Sequence, residues 1–160
     1  MRGAFRLAIL LVGLTSACGG PTVDLTKNLE ILDVSSGWLD VGLVNGQNKL
    51  VPSISFKLKN TSDQQLIVLQ INALFKRLNE EEEWGTGFKM VARPDGLAAG
   101  ATSDTITVSS HLGYTGTEPR SVMLENSLFV DARVELFAKY GSIQWVRMGE
   151  YPITRLLITQ

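Results

Sequence analysis

The sequence of 160 residues holds one cysteine and one histidine, Cys18 and His111. A zinc centre draws on several His or Cys ligands, so this pair does not build one. With no second cysteine, an intrachain disulfide is excluded as well. Charge of one sign is also scarce: 15 Lys plus Arg stand against 16 Asp plus Glu. Nucleic-acid binders carry clustered basic surface, and this balance provides none. The Gly-x-Ser-x-Gly elbow that presents a serine nucleophile is missing. His111 therefore reads as a loop residue at a strand end rather than a triad member. No Gly-rich loop follows a strand and opens a helix, which removes support for a nucleotide. Internal repeats, coiled-coil heptads and low-complexity linkers are lacking too. The expectation is a protein without catalytic residues, metal or cofactor.

What is present points to a folded, exported chain. Apolar residues make up 44 % and charged residues 19 %, a composition that buries a core instead of staying disordered. The length suits one domain. At the start, Arg2 and Arg6 precede the apolar run Leu7–Leu14, and Thr15-Ser16-Ala17 supply small residues. This is the three-part layout of a secretory signal. The run is too short to span a bilayer, which takes about 20 apolar residues. Removing residues 1–17 takes away Arg2 and Arg6 and leaves 13 basic against 16 acidic residues.

Leu14-Thr15-Ser16-Ala17-Cys18 resembles the bacterial lipobox. In that family the cysteine thiol is diacylated and the signal is cut off before it. The usual Leu three residues before the cysteine is replaced here by Thr15, with Leu14 one place further back. The resemblance implies a signal peptide over residues 1–17, lipid on Cys18, and membrane attachment through that lipid. Two or more acyl chains hold stably where one is marginal. Gly19 follows Cys18 where an Asp would retain the protein in the inner membrane. By the enterobacterial sorting rule this implies the outer membrane, facing the periplasm, with the cell membrane as the alternative. Residues 18–27 read as a short tether and 28–160 as the domain.

The body of the chain reads as strands. In Val51–Asn60, Ile54, Phe56 and Leu58 fall on one face and Ser53, Ser55, Lys57 and Lys59 on the other, the alternation of a half-buried strand. Asn60-Thr61-Ser62-Asp63 is a turn cluster. Leu66–Leu78 follows, with Ile67, Leu69, Ile71, Ala73 and Phe75 sharing a face. Thr102–Ser110 points Ile106 and Val108 inward. In Leu128–Tyr140 the inward set is Val130, Ala132, Val134, Leu136 and Ala138. Shorter strands are expected at 143–148 and, opened by Pro152, at 153–159. Asn45-Gly46 signals a hairpin within residues 29–50. Gly85 and Gly87 read as loop. The total is seven to nine strands with no convincing helix, which predicts an all-β, Ig-like antiparallel β-sandwich.

Lys59-Asn60-Thr61-Ser62, the long strand Leu66–Leu78, and Leu97-Ala98-Ala99-Gly100 before Thr102–Val108 resemble the FxLYD-type Ig-like modules of exported bacterial lipoproteins. Phe75-Lys76-Arg77 departs from that pattern, lacking its aromatic-plus-acid turn. The resemblance implies the same sandwich fold and brings no catalytic residues.

Two segments stand out as candidate partner-binding surfaces. His111–Ser127 is long for a connection inside a small sandwich. It carries Tyr114, Arg120 and Met123, and Tyr and Arg anchor many interfaces. Glu81, Glu82 and Glu83, followed by Trp84, form an acidic tip; consecutive carboxylates do not converge on Ca²⁺ as an EF-hand loop does. The function these readings imply is a non-enzymatic interaction or accessory module of the cell envelope, bound to another envelope protein. The alternative is a carrier holding a small or lipidic ligand between the sheets.

Overall fold

A computed structural model describes residues 23–91, 96–141 and 144–159. Nine strands and two short helices are found among them: α1 (Leu25–Asn28), β1 (Leu29–Val44), β2 (Gln47–Asn60), β3 (Leu69–Arg77), β4 (Gly85–Val91), β5 (Ile106–Ser109), β6 (Tyr114–Gly116), α2 (Arg120–Glu125), β7 (Ala132–Tyr140), β8 (Val146–Pro152) and β9 (Leu157–Ile158). One sheet runs β5-β2-β1-β9 with β6 also on the β2 edge; the other runs β4-β3-β7-β8. The two stack as a β-sandwich, with the chain crossing between layers after β2, after β4, before β7 and again after β8. Pairing is antiparallel except that β9 joins β1 in parallel at Trp38 and Leu39.

The predicted hairpin lies between β1 and β2. Asn45 and Gly46 both take positive φ, 52° and 79°, the backbone that a two-residue type I′ turn requires and that these residue types tolerate. The inward alternation is also found. Ile54, Phe56 and Leu58 of β2, Leu69, Ile71, Ala73 and Phe75 of β3, and Ala132, Val134, Leu136 and Ala138 of β7 are all buried. Each large member contributes about 1.5–3 kcal/mol by leaving water. Asn60 closes the end of the sandwich opposite that hairpin. Its fully buried amide donates to the Gln64, Leu97 and Ala98 carbonyls at 2.7, 3.0 and 3.1 Å. Its Oδ1 accepts from the Ser62 amide and hydroxyl.

Several expectations are corrected. Residues 23–27, read as tether, belong to the fold: Val23 and Leu25 are in the core and Asp24 caps α1. Gly85 and Gly87 lie in a strand. A Cβ on Gly85 would sit 2.2 Å from Ser110 Oγ, and one on Gly87 2.5 Å from the Ser109 carbonyl. Glycine there lets β4 close onto the β5 edge of the other sheet, and the loop signal was a packing signal. Ile67 is exposed, because β3 begins only at Leu69. Ser53 is buried on the outer side of β2, where its hydroxyl pairs with Ser109 Oγ at 2.9 Å. The stretch 113–127 holds β6 and α2 instead of being wholly loop. Pro152 ends β8 instead of opening the last strand. The signal peptide and Cys18 lie outside the described residues.

Candidate interaction site

The site is built at the end of the sandwich away from α1. Register places Tyr114 opposite Leu50, ten residues along β2 from Asn60. A strand rises about 3.3 Å per residue, so the two ends are about 30 Å apart. Gly113 is pressed against the Leu50 carbonyl, where a Cβ would come within 2.1 Å. That close approach lets the next residue, Tyr114, reach over the end of the core. Its ring lies 5.6 Å from Trp38, 5.0 Å from Trp84 and 4.5 Å from Phe129, centroid to centroid. Its hydroxyl donates to the Val130 carbonyl at 3.2 Å. Trp38 is fully buried and meets Phe129 edge-on at 4.5 Å. Four rings from β1, the β3–β4 connection, β6 and the segment before β7 thus close this end.

Two guanidiniums hold the cluster. Arg77 lies 5.2 Å over Trp84, and Arg155 lies 5.2 Å over Phe129. Arg155 also donates to the Leu124 and Phe129 carbonyls, each at 2.9 Å, and pairs with Asp131 at 2.6 Å. One side chain therefore fastens α2, Phe129 and the start of β7. The hydrogen bond that Arg155 donates to Asp131 raises the Arg155 pKa above its ordinary value, so the cation is permanent.

Beside the rings is a cleft of about 130 Å³ lined by Tyr114, Gly116, Glu118, Met123, Leu128 and Phe129 among others. That is near the size of an engineered apolar cavity that accepts one benzene ring. It is well below the several hundred Å³ of ordinary small-molecule sites. Leu128, on its wall, is 84 % exposed, so an apolar side chain already faces solvent there. A larger groove of about 430 Å³ follows the β4–β5 edge, lined by Lys89, Val91, Leu97, Thr102, Asp104 and Ile106 among others.

The residues singled out from sequence are partly brought together. Tyr114 and Met123 line the cleft, and Trp84 packs at a tilt against Tyr114 behind it. Arg120 turns away to an ion pair with Asp40 of β1. Burial pushes the Asp40 carboxyl up, but the Arg120 guanidinium and the Gly42 amide outweigh it and hold the pKa below the usual value. Glu81 reaches the outer face of the second sheet, 2.9 Å from Arg133 and 3.8 Å from Lys76. Glu82 and Glu83 are exposed. His111 is exposed at a strand end, with Nδ1 3.0 Å from the Thr86 carbonyl, as a structural loop residue would be. Among the described residues no group of three or more His, Cys, Asp or Glu converges for a metal. Sequence reasoning missed Trp38, Leu128, Phe129 and Arg155. Phe129 had the outward parity of the run Leu128–Tyr140, but the strand starts only at Ala132, so that parity does not apply to it.

No protein-family model matches this chain, and no curated protein does. Among solved structures, a Bordetella pertussis protein given the name ApaA is similar at 14 % identity. The match covers 80 % of this chain and 94 % of that one, with a TM-score of 0.44.

Proposed function

We propose that this chain is an exported lipoprotein, tethered by lipid on Cys18, whose β-sandwich is a non-enzymatic interaction module for another envelope protein. The observation that carries this reading is the ring-floored cleft of Tyr114, Met123, Leu128 and Phe129 at the end about 30 Å from α1. Four residues separate Cys18 from Val23, the first described residue. That spacer reaches at most about 18 Å. A lipid there holds the α1 end at the membrane and turns the cleft toward whatever lies beyond it. The cleft suits a single apolar side chain inserted by a partner, the anchor-in-pocket arrangement of protein interfaces. The attachment is to the outer membrane on its periplasmic side. The carrier reading gains less support, since the rings fill this end of the core and the cleft is too small for an acyl chain.

The test is crosslinking in the producing cells followed by recovery of the tagged chain. Leu128 is so exposed that Leu128→Glu leaves the core intact while placing a charge on the cleft wall. The expected result is one specific partner recovered with wild type and lost with Leu128→Glu, at equal protein level and melting temperature. A partner retained by Leu128→Glu and by Tyr114→Ala contradicts the proposed cleft.

A further inference from the structure

The outer face of the β4-β3-β7-β8 sheet is divided. From the cleft end as far as Arg147 its outward side chains form an ion-pair network: Lys76 and Arg147 on Glu135, Arg133 on Glu81 and Glu150, and Arg147 on Glu150. Toward the α1 end the pattern changes. Phe88 is 56 % and Trp145 39 % exposed, and their rings meet edge-on at 6.4 Å. Phe88 belongs to β4 and Trp145 precedes β8, the two edge strands. The contact therefore bridges β3 and β7 across the outer face, over the row that pairs Asn72 with Phe88 and Phe137. Lys139 stands 5.9 Å over the Trp145 ring. Ile67 and Val68, 54 % and 41 % exposed, extend the apolar surface beside Gly141. The outward residues of β3 and β7 beyond Glu135 in this direction are Asn72, Gln70, Phe137 and Lys139, with no carboxylate among them.

We infer that this patch lies against the lipid surface, resting on the reading that Cys18 is lipidated. Aromatic rings with a lysine and no acid form the side-chain set that settles at a bilayer interface, the rings in the headgroup boundary and the ammonium among phosphates. Position supports the same occupant. α1 packs on β7 and β8, and Thr26 of α1 shares a surface depression with Arg147, two residues after Trp145. The patch is therefore at the end where the chain leaves for Cys18. A tether of at most about 18 Å keeps that end within reach of the headgroups. Contact through Trp145 and Phe88 fixes the tilt of the domain, which attachment at the single point Cys18 leaves free.

The test uses the mature lipidated chain reconstituted in vesicles of phosphatidylethanolamine and phosphatidylglycerol, with and without bromine on the acyl chains. Of three tryptophans, Trp38 is buried in the core and Trp84 is at the opposite end. The expected result is a loss of emission with brominated lipid, absent in Trp145→Phe at an unchanged melting temperature. A chain whose mass includes the lipid, bound to vesicles but unquenched or quenched equally in Trp145→Phe, overturns this inference alone. A mature chain without lipid mass overturns the anchor and this inference with it.

Discussion

Trp84 and Tyr114 pack with ring centroids 5.0 Å apart and planes tilted by 46°, joining the β3–β4 connection of one sheet to β6 on the edge of the other. The acidic tip and the long 111–127 segment, separate in sequence, are neighbours through this pair. A double-mutant cycle with Trp84→Leu and Tyr114→Leu measures it. Aromatic pairs contribute about 0.5–1.5 kcal/mol beyond burial, and that coupling is the expected value. Additive single effects in urea unfolding would mean the rings are neighbours without supporting each other.

Asn60 is fully buried with three carbonyls on its amide nitrogen. Asn60→Ala removes the shared donor from these carbonyls and the acceptor from Ser62, while each carbonyl keeps its other donor, and is expected to cost about 1–3 kcal/mol. Asn60→Asp fares no better, because a carboxylate cannot donate to them. Unfolding curves showing either variant within about 0.5 kcal/mol of wild type would remove Asn60 as the fastener of that end.

The triple variant Glu81→Gln, Glu82→Gln, Glu83→Gln separates a solvated tip from a structural one. Glu81 pairs with Arg133, whose hydrogen bond lowers the Glu81 pKa, but the carboxylate is almost wholly in water. Exposed pairs are worth little. The melting temperature is expected to stay unchanged, and a clear drop would show that Glu81 organises the Lys76–Arg133 face.

Asp40 behaves differently because Arg120 shields it. Its folded pKa is lowered, with burial opposing and Arg120 prevailing. A depressed carboxylate adds stability above its unfolded pKa and loses it as pH falls through the folded value. Stability is therefore expected to decline from about pH 4 downward, and Asp40→Asn is expected to lower it at pH 7 by about 0.5–1 kcal/mol and to flatten that acid limb. A variant with the wild-type acid limb would show that other carboxylates set it.

Alternation made β2, β3 and β7 legible, because each buries one face and the period of two survives in the residue order. Asn45-Gly46 was legible because its positive φ values restrict the residue types that fit. β4 was hidden because Gly85 and Gly87 serve a close approach between sheets that no local pattern expresses. Trp38 and Phe129 were hidden because they meet Tyr114 only through the fold. Within the candidate site, Tyr114, Met123 and Trp84 were found by residue type and segment length. The ion pair of Arg120 was not legible, since its partner, Asp40, is distant in sequence.

The measurement that most directly tests the tethered module is the mature mass and membrane partition of the wild-type chain beside Cys18→Ala. The account predicts a wild-type chain cut before Cys18, heavier by its acyl groups and found in the membrane fraction, with Cys18→Ala carrying no lipid and leaving that attachment. Equal mass shifts and equal partition for the two would contradict it.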